Sequence, residues 1–129
     1  MKPLAVITGV GPGTGSALVR RFHQGGYRVA MLARNAERLQ ALAQECSDTL
    51  VVPCDVSQAD ALNAALARIE AEPGTCSVVV HNAVGGAFGS FLDIDPAVLD
   101  ANFQVNVMAL LHLTRWAAPQ MKAAGRGAI

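Results

Sequence analysis

The chain has 129 residues, 52% of them hydrophobic and only 5% aromatic. That is enough for one closed core built mainly from Leu, Val, Ile and Ala. Ten basic side chains balance ten acidic ones with no run of like charge, which argues against a nucleic-acid partner or a membrane surface.

Along the chain two hydrophobic periods alternate. Short apolar runs at residues 4–7, 29–32, 50–52 and 78–81 are bounded by Gly, Pro, Asp, Ser or Asn, as buried parallel strands are. Between them the spacing is helical. Gly15, Leu18 and Phe22 share one face, then Leu39, Leu42 and Cys46, then Leu62, Leu66 and Ile69. Gly25-Gly26 is predicted to end the first helix and Pro73-Gly74 the third. A glycine-rich loop over 82–95 precedes Pro96, which suits a first helical turn, and a helical pattern continues to about Ala124 with a bend expected at Pro119. Ala128-Ile129 read as the opening of a fifth strand. The order βαβαβαβα predicts an α/β protein, a doubly wound parallel sheet with helices on both faces.

The remaining signals are mostly exclusions. Cys46, Cys54 and Cys76 are odd in number and lack C-x-x-C spacing, so they read as small buried hydrophobes in a reducing compartment. His23, His81 and His112 have no metal-ligand spacing, and no metal site is predicted. The opening MKPLAVITG is too short an apolar run for a signal peptide. The apolar stretch at 107–113 is flanked or broken by Asn106, His112 and Arg115, so no membrane span is expected and the location is read as cytoplasmic.

The chemistry starts with VITGVGPGTG, residues 6–15, between a predicted strand and a predicted helix. Backbone N–H groups at such a helix start suit an anion, and glycine lets a phosphate approach the chain. Neither G-x-G-x-x-G nor G-x-x-x-x-G-K-[ST] fits. The pattern T-G-x-x-x-G-x-G does, at Thr8, Gly9, Gly13 and Gly15. It resembles the cofactor loop of the short-chain dehydrogenase/reductase family, whose fold is Rossmann-like; the alternative is a glycine turn serving helix–strand packing alone. The resemblance implies that Gly9, Gly13, Thr14 and Gly15 hold the pyrophosphate of a nicotinamide dinucleotide.

Further residues extend the resemblance over the whole chain. Ala33 stands where NAD-preferring members carry Asp, and Arg34 follows, which implies NADP(H) over NAD(H). The loop lacks the second basic residue some NADP-preferring members carry before the middle glycine, where Pro12 stands. Asp55 and Val56, after the third strand, match the family's adenine contact, although Asp55 also suits a helix cap. His81-Asn82-Ala83-Val84 matches the family pattern N-N-A-G at Asn82 and Ala83 only, with Gly85-Gly86 following. His81 is read as a hydrogen-bonded structural histidine. Asn106 lies on a stripe with Leu110 and Leu113, where a buried amide must find partners. The family's Asn in this context distorts the helix and holds a water of the proton relay; an Asn bonded only to a neighbouring carbonyl is the alternative.

The family's Tyr-x-x-x-Lys and its Ser are not among these residues. Tyr27 is the only tyrosine, with Met31 four residues later. Residues 1–129 are therefore read as the N-terminal, cofactor-binding half of a longer single domain, truncated at the start of the fifth strand and inactive alone. The complete protein is expected to be an oxidoreductase acting on a small-molecule carbonyl or alcohol, and a homo-oligomer. One rival is a non-catalytic NADP(H)-binding or sensing module. Another is an S-adenosylmethionine-dependent fold, which would want an acidic residue where Ala33-Arg34 stand.

Overall fold

The computed structural model describes residues 1–129. Four strands, β1 (Leu4–Thr8), β2 (Arg28–Ala33), β3 (Thr49–Pro53) and β4 (Cys76–His81), form one sheet in the order β3-β2-β1-β4. Every pairing is parallel, with Val6 opposite Ala30 on one side and Val79 on the other. Each strand includes one or two more residues than its apolar run, because polar flanks such as Thr8 and Arg28 still share the ladder.

Alternate strand residues point to opposite faces, and each face has its own core. Ile7, Val29 and Met31 pack with Val19 of α1 (Thr14–Gln24) and with Leu39 and Leu42 of α2 (Ala36–Glu45). Val6, Ala30 and Leu32 pack with Leu62, Leu66 and Ile69 of α3 (Ala59–Glu70) and with Leu113 and Ala117 of α5 (Ala109–Ala124). Leu113 is wholly buried, which stabilises the fold by about 2 kcal/mol for a side chain of that size. All three cysteines are free and buried. The sheet is thus doubly wound, and chain order reverses between β1 and β4.

The inward faces of α2 and α3 are the predicted ones. That of α1 is rotated: Gly15, Ser16 and Val19 are buried, while Leu18 and Phe22 are only half-buried. The cause is the close approach of Gly15 to the turn after β1, which brings Ser16 and Val19 inward with it.

The long helical pattern after Pro96 is interrupted. Asp95 caps α4 (Pro96–Phe103) by accepting from the Ala97 amide at 2.9 Å. A π-helical turn, Gln104–Met108, then leads into α5. Pro119 lies inside α5, which continues to Ala124 and stops at Gly125 in the left-handed region, φ +68°. Ala128 makes a single parallel bridge to Val78 of β4, where the fifth strand is predicted to open. No helix is long and apolar enough to cross a membrane.

Candidate functional site

The glycines of the loop after β1 divide by what surrounds them. Gly9 has φ +67°, and a Cβ there would lie 2.5 Å from the Ala83 nitrogen and 2.7 Å from the Asn82 carbonyl carbon. A Cβ on Gly15 would overlap the Gly9 carbonyl and lie 2.7 Å from Val10 Cα. Backbone cannot yield as a side chain does, so both positions are required by packing alone. Gly13 is different: a Cβ there would meet nothing within 4 Å, leaving open space above the loop. Packing therefore explains two of the three glycines of the T-G-x-x-x-G-x-G pattern.

The same turn leaves donors without partners. The Ser16 amide is taken by the Gly11 carbonyl at 3.1 Å and the Ala17 amide by Gly13 at 3.2 Å. The Ser16 hydroxyl also donates to Gly11. The first two helical amides, of Thr14 and Gly15, have no acceptor in the chain, and no side chain caps α1. This is the anion-binding arrangement of a helix N-terminus.

Across the switch point the end of β4 is tied to the loop. The buried Thr8 hydroxyl accepts from the Asn82 amide at 3.1 Å and the Ala83 amide at 3.2 Å. Asn82 Nδ2 donates to the Gly9 carbonyl at 3.0 Å. His81 is hydrogen-bonded at both ring nitrogens, to Thr8 Oγ1 and the Val105 carbonyl, each at 2.8 Å, consistent with its structural reading.

Asn106 departs from the expectation of a buried amide. It is exposed, on the π-helical turn, and it clasps Gly85 on both sides. Its Oδ1 accepts from the Gly85 amide and its Nδ2 donates to the Gly85 carbonyl, both at 2.9 Å. The partner is thus a loop residue 21 positions away rather than a neighbouring helical carbonyl. Gly85 also lies against Asn102, whose Oδ1 would be 2.5 Å from an added Cβ.

Gly9, Gly13, Thr14, Gly15, Arg34, Asp55, Val56, Asn82 and Ala83 all line one cleft of about 1070 Å³ at the strand ends. Asn106 is not among its walls; it borders an adjoining hollow with His81 and Leu110. Asp55 does not cap α3, whose N-cap is Gln58. Instead its Oδ1 accepts from the Ser57 amide at 3.0 Å and the Ser57 hydroxyl at 2.7 Å. The Ser57 hydroxyl bond holds the carboxyl below the usual carboxylate range against partial burial, with smaller help from the Ser57 amide and Arg34. Asp55 Oδ2 has no partner.

One lining residue escaped the sequence reading. Arg38 places Nη1 3.9 Å from where a Gly11 Cβ would be, so its guanidinium stands over the glycine loop. Asn35 caps α2 by accepting from the Arg38 amide at 3.1 Å, which sets that direction. The available signal was Asn35 as a helix cap, with Arg38 three residues on. Neither Arg34 nor Arg38 belongs to any of the ion pairs, which join Lys2, Arg20 and Arg28 to Asp48, Glu45 and Glu72.

The family model described as short chain dehydrogenase matches residues 3–129. The chain belongs to the short-chain dehydrogenase/reductase family. It is 32% identical over 121 residues to D-erythrulose reductase of Gallus gallus, covering 94% of this chain and 48% of that protein. It is 31% identical over 117 residues to carbonyl reductase [NADPH] 2 of Sus scrofa, covering 91% and 46%. Among solved structures, a metagenomic short-chain oxidoreductase in complex with NADP superposes with a TM-score of 0.91 at 38% identity, covering 97% of this chain and 59% of that one. L-sorbose reductase from Gluconobacter frateurii, complexed with NADPH and L-sorbose, gives 0.90 at 28% identity, covering 99% and 51%. This short-chain dehydrogenase/reductase chain spans about half the length of the curated relatives it matches.

Proposed function

We propose that residues 1–129 are the NADP(H)-holding half of a short-chain reductase or dehydrogenase acting on a small-molecule carbonyl or alcohol. The observation that carries this is the pair of unpaired guanidiniums, Arg34 and Arg38, at a cleft whose β2 end offers Ala33 instead of a carboxylate. A ribose 2′-hydroxyl calls for a carboxylate there, whereas a 2′-phosphate calls for cations.

NADP(H), when bound, supplies or accepts the hydride. The chain's own residues do the holding. The free Thr14 and Gly15 amides take the pyrophosphate over the space at Gly13, and Arg34 takes the 2′-phosphate. The free oxygen of Asp55 and the Val56 backbone meet the adenine, while Asn82 and Ala83 form the wall towards the reacting end. Asn106 has one amide hydrogen and one oxygen lone pair left after clasping Gly85, enough to hold a water of the proton relay.

Residues 1–129 alone are expected to bind without turning over. Their only tyrosine, Tyr27, packs edge-on against Phe22 with ring centroids 5.1 Å apart, against the core under α1 and α2 and outside the cleft. The complete enzyme, read as cytoplasmic and homo-oligomeric, would draw its Tyr-x-x-x-Lys from further chain. The same tyrosine placement keeps a second reading in view, a module that binds NADP(H) without reducing anything.

The test is calorimetric titration of the chain with NADPH and NADH, before and after Arg34→Ala. NADPH is expected to bind more tightly by about tenfold or better, and Arg34→Ala to remove most of that margin, since a charge-assisted contact contributes about 1.5–3 kcal/mol. Equal affinities would overturn the NADP(H) assignment, and no binding of either would overturn the cofactor assignment. Turnover by a longer chain carrying the Tyr-x-x-x-Lys separates enzyme from binding module.

A further inference from the structure

His81 stands where the family pattern has Asn, and its two hydrogen bonds join the end of β1 to the π-helical turn. On one side is Thr8, at the buried end of β1. Its hydroxyl has two lone pairs and one proton. The Asn82 and Ala83 amides fill the lone pairs, so the proton is left for His81 Nδ1 at 2.8 Å. On the other side is the Val105 carbonyl, which can only accept, at 2.8 Å from Nε2. A single arrangement satisfies every group: a neutral ring with its proton on Nε2.

The Val105 carbonyl is available for a physical reason. In a regular α-helix it would accept from the Ala109 amide, but here that amide donates to Gln104. The π-helical turn frees the Val105 carbonyl from that partner, and the imidazole supplies another. The next residue is Asn106, whose clasp on Gly85 closes the connection back to the loop after β4.

We infer that His81 is a positioning residue: its Nε2–H tautomer ties β1 to the carbonyl the π-turn sets free and so fixes where Asn106 stands beside the cleft. The inference rests on reading that cleft as the cofactor site. Reach explains why Asn would not do the same. An Asn amide ends about where Nδ1 lies and meets Thr8, but Nε2 is one atom further out. Gln reaches that outer position.

The experiment uses the chain labelled with nitrogen-15. The imidazole spectrum of His81 is expected to show a protonated Nε2 and a bare, hydrogen-bonded Nδ1; a proton resting on Nδ1 overturns the inference. The Gly85 amide, held by Asn106, then reports on the clasp by hydrogen exchange, against the Leu42 amide of α2 as internal reference. His81→Asn and His81→Leu are expected to speed Gly85 exchange by about tenfold relative to Leu42, and His81→Gln to restore most of the protection. Gly85 exchange unchanged in His81→Leu, or raised no more than at Leu42, overturns the positioning role. Should His81→Leu not fold, the wild-type tautomer and the Gln–Asn comparison still decide. NADPH titration of the wild-type chain judges the cofactor reading separately, because tautomer and exchange are measured without ligand.

Discussion

Residues 4–56 and residues 84–111 sit side by side in this molecule and are built in opposite ways. In the first region every residue of β1 is buried, and α1 and α2 close their own core over the sheet. In the second, α4 buries no side chain, and Phe88, Phe91 and Leu92 are 99%, 87% and 79% exposed. Both are rich in glycine and apolar residues, so composition does not separate them. What differs is where each apolar side chain finds its partners. In the first region they lie on the adjacent strand or the adjoining helix, and the backbone has one way to close. In the second, polar clasps such as Asn106–Gly85 hold the chain in place while most of its large apolar side chains face outward.

The seam between the regions is where the contrast can be broken most severely. Gly9 belongs to the first region, but its missing Cβ makes room for the Asn82 and Ala83 backbone that leads into the second. Gly9→Val combines a β-branched residue at φ +67° with overlap against main chain. A loss of about 3 kcal/mol or more is expected from urea denaturation, the sum of left-handed strain and overpacking. A loss under about 1 kcal/mol would mean that the two loops move apart easily, and the seam would not be a rigid joint.

The next effect lies in β4, which leads from one region to the other. Burial pushes the Cys76 thiol from 9.0 up to about 11, opposed slightly by the Val78 backbone. The unfolded chain therefore loses this proton first as pH rises. The associated stability is complete below pH 9.0 and disappears between 9.0 and about 11, on the order of 2 kcal/mol. Burial shifts Cys46 and Cys54 the same way. Denaturation midpoints should fall steeply over this range, and less steeply in Cys76→Ala. A flat profile would show that water reaches the strand.

Within the open region the largest single loss should come from Asn106→Ala. It removes two hydrogen bonds to Gly85, both exposed, and is expected to cost about 1 kcal/mol in the same denaturation assay. No measurable loss would mean that the π-turn holds its shape without the clasp, and the region would be stiffer than its exposure suggests.

How far each region can be read in advance follows the same division. The strand–glycine–helix pattern of residues 4–24 is legible because Gly and Pro constrain the backbone locally and apolar spacing supplies the rest. Arg34 and Asp55 are legible because strand ends project residues into the switch-point crevice. The rotated face of α1 is less so, since it depends on how closely Gly15 approaches Gly9. Arg38 goes unread because its place over Gly11 depends on the first residue of α2. Least legible is the clasp. Thr8, His81, Gly85, Val105 and Asn106 come together only in three dimensions, the first two lying 73 positions apart. Even the displacement of the family's glycine from position 84 to 85 makes sense only once Asn106 is seen to hold Gly85.

The smallest expected effect tests the comparison most directly. Phe88 is almost fully exposed, whereas Leu39 of α2 is fully buried. If exposure governs the difference between the regions, Phe88→Ser should change stability by no more than about 0.5 kcal/mol, against about 2–5 kcal/mol for Leu39→Ala. The Phe88 ring has little folded-state contact to lose, and removing it also relieves the unfavourable hydration of an aromatic face. A loss above about 1 kcal/mol in dilute solution would contradict the open description, because it would require the ring to be covered in the isolated chain. A loss that grows with protein concentration would have a different origin, the burial of Phe88 between copies of the chain, since only association ties apparent stability to concentration. Measuring both variants over a range of concentrations therefore separates an open loop from one that closes on itself and from one that closes on a neighbour.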